Sequence, residues 1–403
     1  MRKLRNITYI FFLCFFAVAL SVTALGTDAQ VIRSLIENET GRVVAVSRRG
    51  DTSLYPANSL EAIISAREKG ADAVSVAVSR TEDEYVLCES GSLVNVCDTD
   101  FASTEEAFYS ELKECRLYDS AGILTDCRVI SLRDALDELD GSVYLILDID
   151  WESRDDVYEI VKNADALSYI SLRADVTAEK AAQWSAGRID VISVYKGNII
   201  WNSAGHISKA TEAGMTMAEY RTKNYFNVCY GTLVGDSFSA DGNARALAAC
   251  YNSDLCGKRA DSPDGWDQLI DDGFTVIETN NIEGLVSYVE RTQKARKALE
   301  KALEKAEKAD FSSFSAASID NIGNATENAR AVISGRASSL DKTEKAYSDL
   351  LFSMSDKRMA DGKAEAKGEL NVTAGKIIAV VFVGTAILTA QIFIEKKRKN
   401  KEG

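Results

Sequence analysis

An α/β fold, a (β/α)8 TIM barrel followed by a small α-helical bundle and a C-terminal transmembrane helix, is predicted by three observations. Short β-rich runs alternate with helix-like segments from residue 40 to residue 290. The composition then turns to Ala, Glu, Lys and Leu without proline through residues 291–355. Residues 377–394 form an 18-residue apolar run, followed by Lys396, Lys397, Arg398, Lys399 and Lys401.

In the first region the strand-like runs are Val43 to Val46, Ala73 to Val78, Tyr85 to Cys88, Val143 to Ile149, Tyr169 to Leu172, Ile189 to Val194, Ala244 to Tyr251 and Thr275 to Thr279. Leu60 to Lys69 and Leu132 to Leu139 read as helices, the second with Ser131 placed to cap it. Alternation over about 250 residues implies a parallel sheet, and that length suits an eight-stranded barrel. The pattern alone leaves an open, doubly wound sheet standing beside it. Three helical stripes follow in residues 291–355: Leu299 and Leu303 with Ala295, Ala298, Ala302 and Ala306; Ile319, Ile322, Ala325, Ala329 and Ile333; and Leu340, Tyr347, Leu350 and Leu351. A small bundle or a plain stalk accounts for them.

The two ends of the chain point to a membrane. Residues 1–26 combine Arg2, Lys3 and Arg5 with an apolar stretch from Ile7 to Leu25, which reads as a signal peptide or an uncleaved N-terminal signal anchor. Residues 356–376 are a polar linker, 377–394 a transmembrane helix and 395–403 a basic cytoplasmic tail. The expected location is the cell membrane, single-pass, or two-pass if the leader stays, with the bulk of the chain extracytoplasmic. The formal net charge is -14 although both ends are basic, so the region between them is strongly acidic and argues against a nucleic-acid partner.

Eight cysteines are present, Cys14 in the leader. In an oxidising compartment Cys88 with Cys97, Cys115 with Cys127 and Cys250 with Cys256 are close enough in sequence to pair, but spacing does not fix connectivity. Asn38, Asn324 and Asn371 each open an acceptor pattern for glycosylation.

The segment Val43 to Val78 contains Arg48-Arg49-Gly50, then Pro56-Ala57-Asn58-Ser59, then Gly70-Ala71-Asp72 and Ser75-Val76-Ala77. It resembles the opening of a glycerophosphodiester phosphodiesterase domain, where His-Arg-Gly, Pro-Glu-Asn-Thr, Gly-Ala-Asp and Glu-x-Asp are usual. Further landmarks follow in order: Ile130 to Leu136 at a helix start, Leu145 to Asp150 at the place of a Glu-x-Lys strand, and Trp266 to Asn280 at the closing helix and strand. The resemblance covers about 250 residues and implies a barrel rather than an open sheet. Residues 291–355 more weakly resemble a FIVAR module.

The family's chemistry, as the resemblance implies it, uses two histidines for proton transfer and a divalent cation held by carboxylates. Arg48 and Cys88 stand at the histidine positions, so the catalytic pair is degenerate, and arginine does not release its proton near neutral pH. Ala57, Ser75, Ala77 and Asp148 stand at the metal positions, of which only Asp148 keeps an acid, and Asp150 replaces the substrate lysine. His206, the single histidine, lies in a loop-like context that matches neither motif. Arg48, Arg49 and Asn58 are the candidate anion-binding residues. Arg48 and Arg49 can also supply the positive charge a cation would give, balanced by Asp148 and Asp150.

The expected function is therefore that of a membrane-anchored extracytoplasmic protein with a phosphodiesterase-like barrel that is catalytically inactive and acts in binding or assembly. A lipid headgroup, a wall polymer and another protein are the candidate partners, and no cofactor is expected. The alternative is an active phosphoric diester hydrolase of lipid metabolism, which would need Mg2+ or Ca2+.

Overall fold

The computed structural model describes residues 42–195, part of 212–220, residues 245–248 and residues 261–355, apart from positions 92, 272, 273 and 336. The predicted leader, linker, C-terminal apolar run and basic tail lie outside the described residues, as do Asn38, Asn371, His206, Cys229, Cys250 and Cys256. Among the described residues, no helix is long and apolar enough to cross a membrane.

The strands are β1 (Val44–Arg48), β2 (Ala73–Arg80), β3 (Tyr85–Leu87), β4 (Arg116–Tyr118), β5 (Leu124–Arg128), β6 (Tyr144–Asp148), β7 (Ile170–Ala174), β8 (Asp190–Tyr195), β9 (Met217–Tyr220), β10 (Arg245–Ala248) and β11 (Val276–Thr279). Nine of them share one sheet, in the order β1-β11-β10-β9-β8-β7-β6-β2-β3. Strand β1 also pairs with β2, so the sheet closes on itself, with β3 appended antiparallel to the outer end of β2. All pairings within the ring are parallel, from Val44 opposite Val276 to Ala77 opposite Asp148. The predicted barrel is therefore the observed architecture.

Alternation along the strands divides the apolar residues into two layers. Val44, Val46, Ala73, Tyr144, Ile146, Ile192 and Val276 form the cluster inside the ring. Their neighbours Ala45, Val74, Val76, Leu145, Leu147, Leu172, Val191 and Ile277 face outward and join a larger core under the helices. Both faces of the sheet are thus dry, which is why these strands read as nearly unbroken apolar runs. A fully buried aliphatic side chain here contributes about 1.5–3 kcal/mol relative to exposure.

The helices of this core start where local chemistry permits. In α1 (Leu60–Glu68) the Ser59 hydroxyl accepts from the Ala62 N–H at 3.1 Å. Between β3 and β6 lie the single-turn α2 (Tyr109–Leu112) and α3 (Leu132–Leu139), the latter capped by Ser131, as expected, through the Asp134 N–H at 3.0 Å. Next come α4 (Arg154–Asn163), α5 (Ala178–Ser185), with Thr177 as its cap, and α6 (Pro263–Asp271). The excursion carrying α2, β4 and β5 builds a satellite core from Val86, Cys88, Leu93, Cys97, Ala107, Leu112, Leu117, Cys127 and Val129.

The chain divides into two compact units. The first, to which the barrel belongs, reaches Arg296 and takes back residues Ile333–Thr343. It includes the beginning of α7 (Ile282–Lys308) and of α9 (Leu340–Ser355). The Tyr288 hydroxyl fastens this return: it donates to Asp267 at 2.7 Å and accepts the Leu340 N–H at 2.9 Å. Leu340 thus packs in the barrel's core, whereas its stripe in the sequence groups it with the later helices.

Among the described residues, the second unit comprises residues 297–332 and 344–355. Its helical segments come from α7, from α8 (Ala316–Ser334) and from α9, and they bury Leu299, Ala302, Ala306, Ile322, Ala329, Ala346 and Leu350. Ile319, counted in the second stripe, is exposed. At Asn324 the acceptor pattern lies within α8, and the hydroxyl of Thr326 bonds back to the Ile322 carbonyl at 2.7 Å. That geometry matches a chance occurrence of the pattern.

Candidate functional site at the barrel mouth

The inward alternation that places Val44 and Val46 inside the ring continues to Arg48, at the carboxyl end of β1. By the same count Ser75 and Ala77 of β2, Asp148 of β6, Ser171 and Arg173 of β7, Glu219 of β9 and Glu278 of β11 line the inner face above the apolar layer. The carboxyl ends of barrel strands are where such folds carry their chemistry.

A sharp turn after β1 shapes one side. Arg49, Gly50 and Asn58 all have positive φ, at 59°, 84° and 63°. Gly50 is required there, because a Cβ would stand 2.6 Å from the backbone carbon of Ala62. The Asn58 N–H donates to the Arg49 carbonyl at 2.9 Å, and its side-chain carbonyl accepts the Ala77 N–H at 2.8 Å. Asn58 therefore holds the turn against β2.

From that turn Arg49, itself buried, reaches across the mouth. Its Nε donates to Glu89 at 2.6 Å and its Nη2 to Asp148 at 2.8 Å. Asp148 also lies 3.4 Å from Nη2 of Arg173. The Arg173 guanidinium is fully buried and makes two more ion pairs, Nη1 to Glu278 at 2.8 Å and Nε to Glu219 at 3.2 Å. Glu278 accepts in addition from the Ser75 hydroxyl. Neighbouring Tyr144 and Ser171 are joined through their hydroxyls.

Burial alone would raise the Glu278 carboxyl, yet Arg173, the Ser75 hydroxyl and Arg49 outweigh it and hold it below the usual carboxylate range. Glu278 is thus an anion at neutral pH, kept so by the cation beside it. Burial has the opposite result at Cys88, whose thiol is pushed up to about 12, with Cys97 and Glu89 adding to the effect. A thiol so raised stays protonated and is a poor nucleophile or base near neutrality.

The predicted residues are thus distributed unequally. Arg48, Arg49, Ser75, Ala77 and Asp148 converge on the mouth, and Asn58 braces it. Asp150 lies past the end of β6, exposed, at the N-terminus of a short turn Trp151–Ser153. Cys88 is buried in the satellite core, while the adjacent Glu89 is the residue that meets Arg49. Ala57 follows Pro56 within the turn.

Sequence reasoning missed Arg173 and Glu219, and it named Glu278 only as part of a closing motif. The available signal was an arginine inside the otherwise apolar run Ile170-Ser171-Leu172-Arg173-Ala174. A charge on the inward face of a buried strand demands partners.

A divalent cation of the kind the fold suggests wants about six oxygens around it. Here Asp148, Glu219 and Glu278 are drawn to the guanidinium of Arg173, and Ala57 and Ala77 bring no ligand oxygen from their side chains. These residues do not fit such an ion.

No family model matches the sequence, and no curated protein matches it. Solved structures do. A glycerophosphoryl diester phosphodiesterase from Parabacteroides distasonis is 17% identical with a TM-score of 0.52, over 66% of this chain and 92% of that one. A glycerophosphodiester phosphodiesterase from Thermotoga maritima is 16% identical with a TM-score of 0.46, over 61% and 97%. An Oleispira antarctica phosphodiesterase in complex with the product sn-glycerol-3-phosphate is 13% identical with a TM-score of 0.46, over 61% and 96%. At such identity the Parabacteroides structure establishes architecture and not activity. The chain carries an α/β barrel with the glycerophosphodiester phosphodiesterase fold.

Proposed function

We propose that this barrel is a non-catalytic descendant of the phosphodiesterase fold, displayed outside the cytoplasm on a C-terminal membrane helix and acting in binding or assembly. The helices after residue 296 serve in this reading as a FIVAR-like bundle or stalk between barrel and bilayer. The observation that carries it is the ion-pair chain through Arg49, Asp148, Arg173 and Glu278. It spends the acids of the mouth on internal cations, in a barrel whose first histidine position holds Arg48.

Phosphodiester hydrolysis needs a group that takes up and returns a proton, and loss of such a group costs typically ~100- to 10,000-fold in rate. Arg48 cannot fill that role, and Cys88 is held protonated. An anion at the mouth, cradled by Arg48, Arg49 and Asn58, has to compete with Glu89 and Asp148 for Arg49. Weak phosphate affinity follows, so contacts with a headgroup, a polymer or a protein are expected to use more than the phosphate alone.

The test is hydrolysis of glycerophosphocholine by the purified full chain with Mg2+, Ca2+ or Mn2+ present. No turnover above the metal blank is expected. Turnover abolished by Asp148→Ala would establish the alternative, a working phosphoric diester hydrolase.

A further inference from the structure

The satellite core beside the mouth brings together two thiols that are distant in sequence. Cys97 faces Leu117 across an isolated antiparallel bridge. The Asp98 N–H donates to the Arg116 carbonyl at 3.0 Å, and the Tyr118 N–H to the Val96 carbonyl at 2.9 Å, which fixes the register. Cys115 precedes Leu117 by two residues, so it lies on the same side of its segment as the residue that faces Cys97. The Cys97 thiol donates to the Leu93 carbonyl at 3.8 Å and the Cys115 thiol to the Glu111 carbonyl at 3.5 Å, and the two sulfurs are near enough for each to perturb the other's titration. Cys97 is buried and Cys115 half-buried against the same cluster.

The other cysteines of this region are placed differently. Arg116 pairs with Arg128, so Cys127 belongs to the strand on the far side of β4 from Cys97. Its thiol has Thr125, Glu61 and Ser59 around it. Sequence spacing allows Cys88 with Cys97 and Cys115 with Cys127 without fixing connectivity, whereas the ladder favours a different pair.

We propose that Cys97 and Cys115 are the site of an intramolecular disulfide that staples the excursion between β3 and α3, the segment whose Glu89 receives Arg49 at the mouth. The oxidant is a small disulfide such as glutathione disulfide. The Cys115 thiolate attacks one of its sulfurs and a glutathione thiolate leaves. The Cys97 thiolate then attacks the Cys115 sulfur of the mixed disulfide, and the second glutathione leaves. Two protein thiols lose two protons and two electrons, and one glutathione disulfide becomes two glutathiones. Cys115 is the entry point because it is the more exposed, while burial pushes the Cys97 thiol up to about 12 and makes closure slow.

The experiment uses the full chain in mild detergent, equilibrated with glutathione and glutathione disulfide at an oxidising ratio, then alkylated, digested and analysed by mass spectrometry. The expected product is a Cys97–Cys115 linked peptide, with Cys88 and Cys127 alkylated. Oxidation is also expected to raise the thermal midpoint of the barrel by about 5–10 °C, from the loop closed and the size of the unit. Cys115→Ser, at the less buried position, should abolish that rise, while Cys88→Ser and Cys127→Ser keep it. Alkylation of both Cys97 and Cys115 under the oxidising mixture, or linkage of Cys97 to Cys88, would overturn the proposal. Neither outcome bears on whether the barrel hydrolyses diesters.

Discussion

Arg173 and Glu278 face each other across the barrel interior, Nη1 to Oε1 at 2.8 Å, and neither side chain is exposed at all. They come from strands β7 and β11, which share no edge of the sheet. The pair therefore links parts of the ring that backbone hydrogen bonds do not join directly. Buried ions of this kind persist only when matched, and the same Arg173 also answers to Asp148 and Glu219.

Replacing Arg173 by Ala should leave three acids facing an empty volume. A loss of about 3–5 kcal/mol is expected in denaturant unfolding, the usual cost of breaking a matched buried pair. Millimolar Mn2+ or Ca2+ should restore part of the thermal midpoint in Arg173→Ala and leave the unsubstituted chain unchanged. An equal response of both proteins would refute the idea that Arg173 keeps these acids from a metal ion.

Acid should loosen the mouth. The folded-state value of Glu278 lies below the ordinary glutamate value of about 4.3, so its contribution is complete above that pH and disappears as pH falls through the folded value. Thermal denaturation between pH 7 and pH 3 should show a steep acid decline for the unsubstituted chain. Glu278→Gln should begin lower at pH 7 and decline less, and parallel curves would exclude Glu278 as the source.

Gly50→Ala should damage the turn that aims Arg49. Its φ of 84° is strained for alanine, and the added carbon meets the Ala62 backbone rather than a movable side chain. A loss of about 1–3 kcal/mol is expected by equilibrium unfolding. Gly91→Ala, where a Cβ meets nothing within 4 Å, is the control and should change little.

The barrel was readable because parallel strands dry on both faces leave runs such as Tyr144-Leu145-Ile146-Leu147, and because Ser131 caps helix α3 locally. The hairpin β4–β5 was not, since Leu124-Thr125-Asp126-Cys127-Arg128 is half polar and its pairing depends on the satellite core. Strand β9 is a four-residue run, Met217–Tyr220, without a long apolar pattern. At the mouth, the residues of the turn and of β1, β2 and β6 were visible through their motifs. Arg173 and Glu219 were not, because their roles exist only once closure of the ring sets β7 and β9 opposite β11.

The most direct measurement is the binding of Mn2+ to the full chain, followed by the loss of free-ion paramagnetic resonance signal at neutral pH, in parallel with the Asp148→Ala variant. Both proteins are expected to give the same titration, with no ion assigned to the mouth. One stoichiometric ion bound by the unsubstituted chain and lost with Asp148→Ala would contradict the claim that the acids of the mouth, paired with Arg49 and Arg173, hold no metal.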